Sequence, residues 1–224
     1  MIKLCISGSK GKMGGRIIAL AKKDANVVVS GLFDIGDDPD ACIKESDCLI
    51  EFTTPEATME HLAMCEKHKK AIVIGTTGLS DSDKARITAA SKKIAIVFSP
   101  NMSVGVNLLF KLLEDAARTL DFNYKIHIKE AHHIHKKDAP SGTAKELAKI
   151  IKETKGSIDI PIESIREGEI IGDHTVTFEG PLDTIVLKHS AKTRDIFAKG
   201  AIEAAKFAAK KSKGLYTMKD VLAL

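Results

Sequence analysis

Five short apolar runs, separated by stretches of helical spacing, constrain the first hundred residues more than any other feature. Ile2–Ser7, Val27–Phe33, Cys48–Phe52, Ala71–Gly75 and Ile94–Phe98 are continuous and rich in Ile and Val, the pattern of buried strands. Between them Lys12–Lys23, Pro55–His68 and Ser80–Ser91 repeat apolar residues at helical spacing. Pro55 suits a first helical turn and Ser80 an N-cap. Strands that alternate with helices build βαβ units with right-handed crossovers, and therefore a parallel sheet. The polar stretch from Ile35 to Lys44, with Gly36, Pro39 and three aspartates, reads as a loop.

After Pro100-Asn101 the pattern changes. A long helix is predicted from about Val104 to Leu120. Asn123–Glu130 alternates like a strand, with Tyr124, Ile126 and Ile128 on one face. A helix over Thr143–Thr154 follows, with Thr143 and Glu146 spaced as a capping box. Ser164–Glu167, Asp173–Glu179 and Thr184–Ser190 are three more strands. A parallel half followed by a strand-rich half predicts a Rossmann-like α/β domain plus a second α+β domain with a mixed or antiparallel sheet. The helix Arg194–Lys211 and the segment Gly214–Leu224 are not placed by periodicity.

Composition narrows the function classes. No apolar run approaches the length of a bilayer span, and the first apolar stretch stops at Gly8, too soon for a signal-peptide core. A cytoplasmic protein is expected. Cys5, Cys42, Cys48 and Cys65 form no C-x-x-C pair, so free core thiols are expected, with neither disulfide nor metal. The net charge of +4 is spread along the chain, and aromatics are only 4%. Neither property points to nucleic acid.

Gly8-Ser9-Lys10-Gly11-Lys12-Met13-Gly14 follows the first strand and opens the first helix. Glycines there let the backbone turn tightly and approach a pyrophosphate at the helix N-terminus. The common G-x-G-x-x-G would place glycine where Lys10 stands. Asp34 closes the second strand 26 residues after Gly8, a little beyond the usual ~20 for a ribose-binding acid. Two further loops, Gly75-Thr76-Thr77-Gly78 and Ser99-Pro100-Asn101-Met102-Ser103, end the fourth and fifth strands, where open α/β sheets bind ligands.

The richest chemistry lies in Glu130–Thr143, E-A-H-H-I-H-K-K-D-A-P-S-G-T. Imidazoles exchange protons near neutral pH, lysine supplies a cation, and a helix opening at Ser-Gly-Thr offers backbone N–H groups to an anion. Together they suit an acidic small molecule. This run resembles the signature of the 4-hydroxy-tetrahydrodipicolinate reductase (dihydrodipicolinate reductase) family, and Gly8, Gly11, Met13 and Gly14 resemble its G-x-x-G-x-M-G loop. So do the G-T-T-G and P-N-x-S loops, Arg166-x-Gly168, Gly172-x-His174-x-Val176-x-Phe178, His189 through Ala201, and Gly214 through Leu222.

The resemblance implies reduction of a cyclic, doubly carboxylated imine by NADH or NADPH, in the diaminopimelate route to lysine. It implies His132 and Lys136 as the proton-handling pair, with His133, Ser141, Gly142 and Thr143 at the substrate carboxylates. It implies cofactor contacts from Gly8, Ser9, Lys10, Gly11, Lys12, Met13, Asp34, Gly75, Thr76, Thr77, Ser99, Pro100, Asn101 and Met102. It also implies a nucleotide domain at 1–103 completed by 194–224, a substrate and oligomerisation domain at 104–193, and a homotetramer. Arg194, Gly200 and Ala201 read as structural. Ile35 departs from relatives that carry an arginine for a 2′-phosphate, and the chain is short for the family. Two alternatives stand beside this reading: another two-domain nicotinamide-dependent amino-acid dehydrogenase, and a non-enzymatic NAD(H)-sensing regulator.

Overall fold

In the computed structural model, which describes all 224 residues, the five early runs form β1 (Ile2–Ser7), β2 (Val27–Phe33), β3 (Cys48–Glu51), β4 (Ala71–Ile74) and β5 (Ala95–Phe98). They alternate with α1 (Lys12–Ala21), α2 (Pro39–Lys44), α3 (Pro55–His68) and α4 (Asp81–Ala90). The second half supplies α5 (Val104–Thr119), β6 (Lys125–His132), α6 (Gly142–Lys155), β7 (Ile162–Arg166), β8 (Asp173–Glu179) and β9 (Thr184–Ser190). It closes with α7 (Asp195–Ala208), β10 (Gly214–Tyr216) and α8 (Met218–Leu222). The chain divides into one unit of Met1–Val104 with Asp195–Ala223, and a second of Gly105–Arg194 with Leu224.

In the first unit six parallel strands run in the order β10-β5-β4-β3-β1-β2. Successive strand side chains face opposite ways, so each strand feeds two cores. Leu4, Ile6, Val73 and Val97 pack with Ile17 and Ala21 of α1 and with Ala201, Ala204 and Ala205 of α7. Cys5, Leu49, Ile72 and Ile96 pack with Ile43, Leu62, Ile87 and Ala90 on the other side. Both faces are apolar, which explains why these strands read as continuous runs. α7 can lie close because Gly200 has no side chain: a Cβ there would strike the Met102 carbonyl. The segments that periodicity left unplaced thus complete this unit, with β10 pairing along β5.

The second unit has a four-stranded sheet, β7-β6-β8-β9. β6 and β8, and β8 and β9, are antiparallel, whereas β7 runs parallel to β6, so the sheet is mixed. Ile126, Ile128, Val176 and Phe178 bury one face against α5 and α6. The other face carries Lys129, Thr175 and Lys188 in one cross-strand row and His127, Thr177 and Val186 in the next; Val186 is 55% exposed.

Three local expectations are corrected. The stretch taken as a loop contains α2, because Asp38 caps it by accepting the Asp40 N–H at 3.0 Å and Pro39 fits its first turn. α6 is capped by Ser141, whose hydroxyl accepts the Ala144 N–H at 3.2 Å, so Thr143 lies inside the helix. The cysteines are not all free. α2 brings Cys42 over β1, where it forms a disulfide with Cys5, at a Cα–Cα distance of 6.2 Å. Cys48 and Cys65 remain free and buried, and burial pushes both thiols well above their ordinary range. No helix is long and apolar enough to cross a membrane.

Candidate active site

At the end of β1, Gly8 adopts φ +64°, a conformation costly for residues with a Cβ, and turns the chain into α1. Gly14 sits against that turn so closely that a Cβ would overlap the Gly8 carbonyl. The N-cap of α1 is Gly11, which offers no capping side chain, and no acidic residue lies in the first turn. Its leading N–H groups and its positive dipole end suit an anion. Asp34 stands beside this loop, its carboxylate accepting the Lys10 N–H at 2.7 Å and the Ile35 N–H at 2.8 Å. The Lys10 amide, then that of Ile35, hold the carboxyl below its ordinary range, so it is ionised at neutral pH. These groups line a pocket of about 560 Å³ that also includes Asp37, Phe52, Thr53 and His61. Lys10 and Lys12 are exposed, and Met13 is partly buried against the core.

The two other loops are well ordered by their own contacts. The buried Thr76 hydroxyl accepts the Thr53 N–H at 3.1 Å and the Thr58 hydroxyl at 2.9 Å, tying the β4 end to the β3 end. Gly75 is half-buried and Thr77 exposed. Asn101 accepts the Ser103 N–H at 2.8 Å, Ser99 is buried, Pro100 is exposed, and the Met102 side chain lies in the core. Met102 therefore has only its backbone to offer a ligand.

In the second unit, β6 carries Ile126, Ile128, Glu130 and His132 on its buried face. Glu130 is wholly buried, and the Arg166 guanidinium grips both its oxygens at 2.8 and 3.0 Å. Burial pulls its pKa up, but hydrogen bonds from Arg166, Ser164 and His132 overcome that and bring it to about 2. His132 Nδ1 lies 2.5 Å from Glu130 Oε2. Burial lowers the His132 pKa, and outweighs the opposing pull of Glu130, so the ring is neutral at pH 7. The His174 ring stands edge-on to it at 5.1 Å, with Nε2 3.1 Å from the Ser141 hydroxyl. Burial, then the neighbouring His132, lower His174 to about 4.

After His132 the chain turns through His133–Pro140 into α6. His133 is half-buried, and its Nδ1 is buried without a hydrogen-bond partner. Half-buried Lys136 places Nζ 2.7 Å from Asp138, whose pKa this cation lowers. His135 and Lys137 are exposed. α6 begins with Gly142 and Thr143 and has no acidic residue in its first turn. The segment thus brings His132, His133, Lys136, Ser141, Gly142 and Thr143 into one unit. The donor atoms of Glu130, His132 and His174 also lie within 4.8 Å of one another, a spacing a metal ion would accept. Arg166 already occupies both Glu130 oxygens, and its charge opposes a cation there.

Comparison with known proteins covers the chain end to end. Residues 2–102 match the family described as dihydrodipicolinate reductase, N-terminus, and residues 105–222 match dihydrodipicolinate reductase, C-terminus. The chain belongs to the dihydrodipicolinate reductase family. A 4-hydroxy-tetrahydrodipicolinate reductase from Geotalea uraniireducens is 37% identical over 266 aligned positions, with all of both chains covered. Its counterpart from Chromohalobacter salexigens is 40% identical, over 100% of this chain and 99% of that one. Among solved structures, the dipicolinate-bound dihydrodipicolinate reductase from Paenisporosarcina sp. TG-14 has a TM-score of 0.84 at 25% identity, covering 98% of this chain and 99% of that one. C. glutamicum DAP dehydrogenase, at 13% identity and a TM-score of 0.57, covering 97% of this chain and 92% of that one, shares the fold alone.

As a dihydrodipicolinate reductase the chain is short: 266 alignment positions against 224 residues leave about 42 that it skips. Sequence reasoning passed over Glu130, Arg166 and His174 as parts of a pattern without roles. A signal for Glu130 was present. The alternation that puts Ile126 and Ile128 inward continues to Glu130 and His132, so a carboxylate falls on a buried face and requires a partner. That Arg166 is the partner follows from the β6–β7 pairing, which sets it opposite His132. Arg194, read as structural, is exposed.

Proposed function

We infer that this chain reduces 4-hydroxy-tetrahydrodipicolinate to tetrahydrodipicolinate with NADH or NADPH, a step of lysine and diaminopimelate biosynthesis. The observation that carries the reading is the continuous family match together with the folded signature, in which His132, Lys136 and the α6 N-terminus share one unit. The Gly8–Met13 loop and the start of α1 would hold the pyrophosphate, and Asp34 the adenosine ribose. Gly75–Thr77 and Ser99–Met102 would hold the nicotinamide end. Bound NADH or NADPH supplies a hydride.

The ring must lose water and gain a hydride and a proton. Loss of water takes a proton from the carbon between the hydroxyl-bearing carbon and the imine, and puts one on the departing oxygen. After reduction, the resulting enamine recovers a proton at the carbon that lost it. Neutral His132 suits the first transfer as base and, once protonated, the return as acid. Lys136, whose Nζ lies 2.7 Å from Asp138, suits protonation of the leaving oxygen, and draws its replacement proton from solvent. His133, Ser141 and the Gly142–Thr143 amides would hold the two carboxylates. An anion at a helix N-terminus gains about 0.3–1 kcal/mol per interaction, and more when partly buried.

The subunits are proposed to assemble as a homotetramer through the open face of the second unit's sheet, where Val186 lies exposed beside half-buried Thr175 and Thr177. The test of function is a coupled assay: pyruvate and aspartate semialdehyde are condensed in situ, and oxidation of NADH and NADPH is followed separately. Turnover only with the condensation product supports the reading; turnover with a simple 2-oxo acid and ammonia instead would point to an amino-acid dehydrogenase.

A further inference from the structure

Glu130 is the most deeply buried charge in the second unit, and the proton transfers above leave it unused. It precedes His132 by one strand repeat, on the same face, and its contacts with Arg166, His132 and Ser141 converge on the catalytic turn. Arg166 holds both its oxygens and also donates to the Asp138 carbonyl at 2.5 Å, and the Ser141 N–H donates to Oε1 at 3.3 Å. We propose that Glu130, clamped by Arg166, is a positioning residue that fixes His132 with its proton on Nδ1 and leaves Nε2 as the nitrogen that exchanges protons with the substrate. The proposal rests on the assignment of His132 to proton transfer.

An ionised carboxylate only accepts, so the 2.5 Å contact requires the proton on Nδ1. In a neutral imidazole Nε2 then carries the lone pair. That nitrogen lies beside Gly172, where an added Cβ would sit 3.1 Å away, so the smallest residue keeps its approach open. His174 does not compete, because its own Nε2 engages the Ser141 hydroxyl. The charges facing His132 oppose one another: Glu130 raises its pKa, while Lys136 and Arg166 lower it. Removing the Glu130 charge therefore moves the pKa further down and releases the tautomer together.

Two measurements test this on the full-length protein. Long-range ¹H–¹⁵N NMR of histidine-labelled wild type at pH 7 is expected to show His132 protonated at Nδ1 and bare at Nε2; the opposite tautomer overturns the proposal without any variant. Glu130→Gln is expected to lower kcat by about 10- to 10³-fold, by analogy with other histidine-orienting partners. KM should stay within about twofold, the acid limb of the pH profile should move down by about one unit, and Glu130→Asp should recover part of the loss. An unchanged kcat and pH profile in Glu130→Gln overturns it. The parallel variant His132→Gln separates the two readings. If it keeps near-normal kcat, the role of His132 itself is wrong and the proposal goes with it. If it loses activity while Glu130→Gln does not, only the positioning claim fails.

Discussion

Replacing Arg166 with methionine removes the charge that neutralises Glu130 while keeping most of the side chain's length. Two routes give the size of the loss. Breaking a buried ion pair by removing one partner costs about 3–5 kcal/mol, because the other charge stays buried. Lowering the Glu130 pKa from 4.5 to about 2 corresponds to a net stabilisation on the order of 3 kcal/mol, in which Arg166 is the largest contributor beside Ser164 and His132. The routes agree, with the lower end favoured because His132, 2.5 Å away, gains from taking a proton once Arg166 is gone. The sign with pH is fixed. A carboxyl whose folded pKa is depressed contributes fully above its unfolded pKa, and that contribution is lost as pH falls from about 4.5 towards 2. In the variant burial is opposed only by the Ser164 and His132 hydrogen bonds, so the Glu130 pKa rises and acid relieves the deficit. Urea unfolding of wild type and Arg166→Met at pH 7 and pH 3 should therefore show a deficit of about 3 kcal/mol that shrinks by half or more in acid. A deficit below about 1 kcal/mol at pH 7, or one that does not change with pH, refutes the account of Glu130 as a charge held by Arg166.

His132→Gln and Lys136→Ala are each expected to lower kcat by about 10²–10⁴-fold, the range for losing a positioned acid or base, with NADH affinity by fluorescence titration unchanged. NADH should serve at least as well as NADPH, because Asp34 is ionised beside the nucleotide loop and Asp37 shares its pocket wall, while Ile35 brings no cation. A tenfold advantage for NADPH in kcat/KM would reverse this, and Asp34→Ala should weaken NADH more than NADPH. Val186→Arg, on the open face of the edge strand β9, should shift sedimentation from oligomer to monomer; a wild-type protein that is monomeric and fully active at micromolar concentration would remove the proposed interface.

Much of the first unit was legible because its strands are buried on both sides, so Leu4–Ile6 and Ile72–Ile74 announce themselves as unbroken apolar runs. Pro55 and Ser80 fixed the starts of α3 and α4 by local chemistry alone, the latter through a capping box with Asp83. α2 was missed because its one buried residue, Ile43, gives no periodicity over six residues. The Cys5–Cys42 disulfide was missed with it, since the pairing spans 37 residues and exists only once α2 lies over β1. At the site, residue type singled out the His- and Lys-rich turn, and only the family resemblance assigned His132 and Lys136 within it. Arg166 could not be singled out, because its role depends on which strand lies beside β6, and nothing local encodes that neighbour.

The order in which the first unit is built carries a cost during synthesis. Its last pieces, α7 and β10, follow the whole second unit in the chain. At ribosomal rates of 5–20 residues per second, Gly105–Arg194 takes about 5–20 s to emerge. For that interval the nascent chain presents Leu4, Ile6, Val73 and Val97 without their α7 cover, and β5 without its β10 neighbour. An uncovered apolar sheet with an open edge is the form most prone to pair with another chain. The second unit, apart from Leu224, is one continuous stretch of chain. A stop codon shortly before Asp195 would therefore leave the first unit permanently without α7 and β10, its apolar sheet face uncovered.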